Sequence, residues 1–265
     1  MKASDYANSS PREVRQLIRE GKWTLPTPGM CKGHVQGNLV VLPRDLAYDF
    51  LVFAQRNPKP CPILDVTEPG DPEPKIVAPG ADISTDIPRY RVWKDGVCVD
   101  EPTDVKKYWR DDLVGFLLGC SFSFEGALLE AGIPVRHIEQ NRNVPMYVTN
   151  IQCTPAGALN GPVVVSMRPI PAAMVPKAVL CTGRFPAVHG SPIHIGDPSQ
   201  IGITDIDKPD LGDAVDIYPG EVPVFWACGC TPQAAIMAVK PPFCITHSPG
   251  HMFVADPKDA DYAVF

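Results

Sequence analysis

The sequence predicts an α/β protein, a layered mixed sheet with helices in which a main domain carries a smaller α/β inserted subdomain. Three observations lead there. Short apolar runs of strand length alternate with segments whose apolar residues recur at helical spacing. A chain of 265 residues can bury a continuous core without a disulfide or a structural metal. Proline, at 31 of 265 residues, is about twice its ordinary usage, which implies many short elements joined by stiff loops. The main domain is expected over residues 1–152, completed by 222–265, with the subdomain over 153–221.

In chain order, Ser10-Pro11-Arg12-Glu13 has the form of a capping box with proline at the first helical position, and Val14, Leu17 and Ile18 continue a short helix to Gly21. Asn38–Leu42 reads as a short strand or linker, and Pro43 opens a helix carrying Leu46, Phe50 and Phe53 that stops at Pro58. Ile63–Val66 is a strand within a stretch, 58–88, rich in Pro, Asp and Gly. Asp95-Gly96 between two apolar runs predicts a hairpin, because both residues tolerate the positive φ of a tight turn. Thr103 is expected to cap a helix through Val105, Tyr108, Trp109 and Leu113. Gly161–Arg168 reads as a buried strand ending in a charge, Ala172–Gly183 as a helix interrupted by Pro176, and 189–219 as a long functional loop with some apolar content.

Two segments share one pattern. Leu117–Ser121 leads into a helix at Phe124–Ala131, and Trp226–Thr231 leads into one at Gln233–Val239. Each is an apolar run, then Gly-Cys-Ser or Gly-Cys-Thr, then a helical repeat. Such a strand–turn–helix presents a hydroxyl and backbone N–H groups where the helix dipole favours an anion.

Composition removes several function classes. Lys and Arg number 24 against 30 Asp and Glu, a net charge of −6, with no basic stripe, so a nucleic-acid partner is not expected. The longest apolar runs, such as Val163–Met167 and Val222–Cys228, are too short to span a bilayer, and the N-terminal residues lack a signal-peptide core. A cytoplasmic protein with no membrane partner is therefore expected. Nine scattered cysteines read as free, mostly buried thiols, and Cys228-Gly229-Cys230 has no second pair at zinc-site spacing. The Asp205–Gly212 carboxylates lack the order of a calcium loop. Phosphate-binding, dinucleotide-binding, serine-esterase and zinc-protease motifs are missing. No metal and no cofactor are expected.

The remaining polar residues sit in Gly/Pro-rich turns. Ser121 and Ser123 are either helix caps or ligands; Glu125, four residues after Ser121, shares its helical face and could move a proton there. Arg168, ending an apolar strand, needs an anion, either a structural carboxylate or a bidentate substrate carboxylate. His189 is the general-base candidate by residue type, against the plainer reading of a lone structural histidine. His247 and His251 are four apart, but Pro249-Gly250 breaks any helix between them.

The blocks Gly119–Glu125, Asn143–Tyr147 with Thr149-Asn150, Gly161–Pro169, Arg184–Gly190, Pro209–Asp213, Val222–Cys228 with Thr231–Gln233, and His247–Gly250 together resemble the hydro-lyase family related to D-glutamate cyclases. The match runs through nearly the whole chain in one order. It implies an enzyme removing water from a small amino or hydroxy carboxylic acid, in the manner of D-glutamate cyclases, which convert D-glutamate to 5-oxo-D-proline. On that basis His189, Glu125 and Ser121 are the expected catalytic residues. Arg168, Ser123, Asn150, Thr231, Gln233 and His247 are expected to bind a small-molecule carboxylic or amino acid. Self-association into a homo-oligomer is left open. Two other readings stand beside this one: a non-catalytic carboxylate-binding protein, and a cysteine hydrolase using Cys120 or Cys228 with His189.

Overall fold

Two antiparallel sheets organise the chain in a computed structural model that describes residues 2–264; Met1 and Phe265, the ends of the expected main domain, lie outside the described residues. The first sheet is built on β1 (His34–Pro43), which pairs on one side with β5 (Leu113–Leu118) and on the other with β10 (Cys244–His247) and β11 (Phe253–Lys258). Its outer strands are β2 (Ile63–Val66), next to β5, and the hairpin β3 (Tyr90–Lys94) and β4 (Val97–Asp100), next to β10. The second sheet has the order β6 (Met146–Gln152), β7 (Pro162–Pro171), β9 (Glu221–Ala227), β8 (His194–Ile195). The expected α/β composition is present, and every named pairing is antiparallel.

The second sheet draws strands from either side of 153–221, and its core is continuous with that of the first. Val40 and Leu42 of β1, Phe116 of β5, Val165 and Met167 of β7 and Phe225 of β9 belong to one buried cluster, filled by Phe50 and Phe53 of α2 (Arg44–Arg56). β1 and β7 are buried along almost their entire length, as strands covered on both faces must be. The loop 189–219 is held down by Ile201, Ile203 and Val215 in that core and by Asp210, which accepts the Val148 N–H at 2.8 Å.

Local chemistry accounts for the elements. Helix α1 (Pro11–Arg19) starts at the expected capping box, with the Ser10 hydroxyl accepting the Glu13 N–H at 3.3 Å. Arg15 of α1 donates to the Val254 carbonyl at 2.7 Å and pairs with Asp256 at 2.8 Å, which fastens the helix to β11. Two expectations need correction. The helix after Thr103 is only a single 3₁₀ turn, Lys106–Tyr108, because Leu113 begins β5, whose pairing with both β1 and β2 outweighs helical spacing. Pro176 does not interrupt a helix; it sits in the first turn of α5 (Val175–Gly183), where its missing N–H has no partner to lose.

Both strand–turn–helix units form as read, with α3 (Phe122–Glu130) after β5 and α6 (Cys230–Val239) after β9. Asn38 of β1 lies between their turns. Its amide donates to the Gly119 carbonyl at 3.0 Å, and a Cβ on Gly229 would come within 2.3 Å of the same amide nitrogen. Among the described residues no helix is long and apolar enough to cross a membrane.

Candidate active site

Strand alternation decides where Arg168 goes. Val165 and Met167 face the core shared by the sheets, so Ser166, Arg168 and Ile170 face the other way, toward α3 and α5. There the Arg168 guanidinium is wholly buried between the rings of Phe124 and Trp226, 5.2 and 5.4 Å from their centroids. Its Nε donates to Glu125 Oε1 at 3.0 Å, Nη1 to Ser166 Oγ at 3.0 Å and Nη2 to Ser121 Oγ at 3.1 Å; a second bond runs from Nη2 to Glu125. Arg168 thus spends its donors on protein partners, and the structural carboxylate is the partner it has. Ser121 does not cap α3, because its hydroxyl serves Arg168.

Glu125 carries this network outward. The same Oε1 lies 3.2 Å from Nε2 of His137, so the imidazole donates to it. Burial pushes the Glu125 carboxyl up, but the Arg168 charge and the His137 contact outweigh it and hold the group below the usual glutamate range. His137 stands on the single-turn helix α4 (Arg136–Glu139). That turn is anchored by the neighbouring Arg136, which stacks 3.9 Å over Tyr218 and pairs with Glu139 and Glu221.

His137 and Glu125 open into a cavity of about 470 Å³. Ser123 and Gly126 of α3, the 28–34 loop, residues 141–143 and Asp259 complete its walls. The loop is shaped by Gln36, whose amide donates to the carbonyls of Thr27 and Met30 at 3.2 and 3.3 Å. The opposite wall is braced from the long loop, with Arg142 donating to the Ala214 carbonyl at 2.7 Å and the Asn143 N–H to Asp213 at 2.8 Å. Burial pushes the Asp259 carboxyl up to about 6, against the Ser123 hydroxyl and the nearby His34, which favour its ionised form. The Ser123 hydroxyl and Asp259 Oδ1 are both buried beside one another. With Glu125 neutralised by Arg168, the cavity presents Lys32 to an anion, while Arg142 on its wall lies 3.9 Å from Asp216. A second cavity of about 310 Å³ beside α1 is lined by three arginines, but Arg15 and Arg19 there are paired with Asp256 and Asp86.

The other expected residues divide differently. His189 is buried, with Nδ1 donating to the Lys59 carbonyl at 2.8 Å and Nε2 without a partner. It has a left-handed φ of 81°, and burial pushes its pKa down to about 4, so the ring is neutral at physiological pH. It lies near Arg168 but does not line the cavity. Thr231 is tied to the Val164 backbone at 2.9 and 3.2 Å. Gln233 faces His247 Nδ1 at 3.2 Å, and that nitrogen accepts the Leu39 N–H at 3.1 Å. Burial drives His247 down to about 4 as well. These three fasten α6 to β7, β1 and β10. Asn150 is exposed on β6 with its side chain against Gly202, six residues beyond the point facing Arg168, or about 20 Å along the strand.

His137, Asp259, Lys32 and Arg142 are cavity residues that sequence reasoning passed over. A histidine in a four-residue helix and an aspartate near the C-terminus carry no motif; only Arg136-His137-Ile138-Glu139, polar between apolar runs, hinted at a role. The cysteine-hydrolase reading finds no paired nucleophile. Burial pushes Cys120 up to about 12, and neither Cys120 nor Cys228 is hydrogen-bonded to His189. Among the described residues, no group of three or more His, Cys, Asp or Glu side chains is placed to hold a metal ion.

Comparison with known proteins completes the picture. A family model described as D-glutamate cyclase matches residues 114–256. A protein of Psychrobacter arcticus named "Putative hydro-lyase" is 63% identical over 98% of this chain and 99% of its own length. Relatives with the same designation are 65% identical in Thermoanaerobacter sp. (96% of each chain) and 60% identical in Bacillus subtilis (96% of this chain, 99% of the relative). The crystal structure of a nitrogen repressor-like protein from Methanococcus jannaschii covers 79% of this chain and 80% of its own at a TM-score of 0.37 and 10% identity, too slight a likeness to carry an argument.

Proposed function

Because this chain belongs to the D-glutamate cyclase family, we propose that it removes water from a small amino or hydroxy carboxylic acid, a glutamate-like dicarboxylate above all, in the cavity beside α3. The observation that carries this reading is the buried chain Arg168–Glu125–His137, which ends at a cavity whose lining also includes a carboxyl held near pKa 6.

Lactam formation from glutamate needs a neutral amine to attack the side-chain carboxyl and a proton for the departing hydroxide, which then leaves as water. Asp259, partly protonated near neutral pH, is the acid. His137, oriented by Glu125, is the base that takes the amine proton, as a histidine held by a carboxylate commonly does. Lys32 attracts a substrate carboxylate, and the buried Ser123 hydroxyl stands beside Asp259 to orient it. Glu125 and Arg168 are positioning residues in this scheme, and His189 supports the Gly119 turn from behind. A cavity of about 470 Å³ suits a ligand of this size.

The deciding experiment incubates the enzyme with a panel of D- and L-amino and hydroxy dicarboxylic acids and follows loss of water by mass spectrometry. His137→Asn should slow turnover by about 10²-fold or more while a substrate analogue still binds. If a panel member stabilises the fold strongly in a thermal shift yet is recovered unchanged, the protein is a binding module and this assignment fails.

A further inference from the structure

Away from that cavity, three sulfur atoms from distant parts of the sequence converge. Cys228 Sγ and Cys230 Sγ lie 3.5 and 3.4 Å from Met146 Sδ. The sheet register brings them together: Met146 on β6 is paired with Ser166 on β7, and Ser166 with Trp226 on β9, two residues before Cys228. The turn itself is held by Gly229, whose close approach to Asn38 leaves no room for a side chain. Cys228 is buried, while Cys230 and Met146 are half-buried.

We propose that Met146, Cys228 and Cys230 form a binding site for a soft monovalent metal ion, copper(I). Two thiolates and a thioether are soft ligands that select copper(I), whereas a structural zinc site needs four nitrogen, sulfur or oxygen ligands in a tetrahedron. Metal–sulfur bonds of about 2.3 Å in a flat triangle place sulfurs about 4 Å apart, so the side chains need to open by only about half an ångström. The ligand set with its ion carries one net negative charge. Each thiol gives up its proton when it ligates the ion. Binding therefore releases up to two protons per ion, and affinity rises with pH.

Anaerobic titration of the full-length protein with copper(I), in competition with bicinchoninate, tests this. The wild type should retain one equivalent, more tightly at pH 8 than at pH 6. Cys228→Ser and Cys230→Ser should each abolish retention, and Met146→Leu, which preserves volume, should weaken it at least tenfold. Cys181→Ser, a half-buried thiol outside the group, should behave as wild type. The proposal is overturned if the wild type yields all its copper to the competitor, if Cys181→Ser loses as much as Cys228→Ser, or if zinc(II) fills the same site equally well.

Discussion

Replacing Glu125 by Gln leaves the Arg168 guanidinium as an uncompensated charge in a site with no solvent. Breaking one side of such a pair costs about 3–5 kcal/mol, because the remaining charge stays buried. Two features place Glu125→Gln near the lower end. The amide oxygen can still accept the Nε bond, and the Ser121 and Ser166 hydroxyls keep their contacts at 3.1 and 3.0 Å. A loss of about 3 kcal/mol is a large share of ordinary domain stability. It should appear in urea unfolding as a lowered midpoint with an unchanged slope. The double variant Glu125→Leu/Arg168→Met removes both charges from an apolar slot between Phe124 and Trp226, so it should recover at least half the loss. Glu125→Gln should also slow turnover more than it weakens ligand binding, since it loosens His137. If the single variant costs under about 1 kcal/mol, or the two sites prove additive in a double-mutant cycle, the buried pair does not hold this region as described.

Other outcomes follow from the same geometry. Asp259 acts as an acid with a raised pKa, so turnover should fall as pH rises through about 6, and Asp259→Asn should abolish that limb of the kcat profile. His189 and His247 are held neutral, with folded pKa values near 4 against an ordinary 6.5; the unfolded chain binds more protons between those values. Their contribution is complete above pH 6.5 and is lost as pH falls toward 4, which Tm measured across that range should show, with a smaller fall in His247→Gln. Gly119→Ala should misfold or lose several degrees in Tm, since its Cβ would lie 2.2 Å from the Ala187 carbonyl oxygen. Iodoacetamide at pH 8 should leave Cys120 unmodified while half-buried Cys181 reacts, as mass mapping would record.

Local signals determined much of this protein. The Ser10–Glu13 box, the Asp95-Gly96 hairpin, the buried run of β7 and both strand–turn–helix units are legible because capping, turn chemistry and apolar period act within a few residues, whereas β1 read equally as a linker and the start of β5 as the end of a helix. Family membership was legible for a similar reason, since it rests on ordered blocks of residues. Glu125 and Ser121 emerge as neighbours from helical spacing alone, and the requirement that Arg168 find an anion follows from its place in an apolar strand. Sequence could not say which anion. That was settled by the pleat, which turns Arg168 away from the shared core and onto Glu125. Only the tertiary structure could set His137 against Glu125, or bring Asp259 from the end of the chain to a loop near its start, where its N–H donates to the Gly33 carbonyl at 2.9 Å. Contacts between residues tens to hundreds of positions apart leave no periodic trace, because they depend on strand register and on which face of each element is buried.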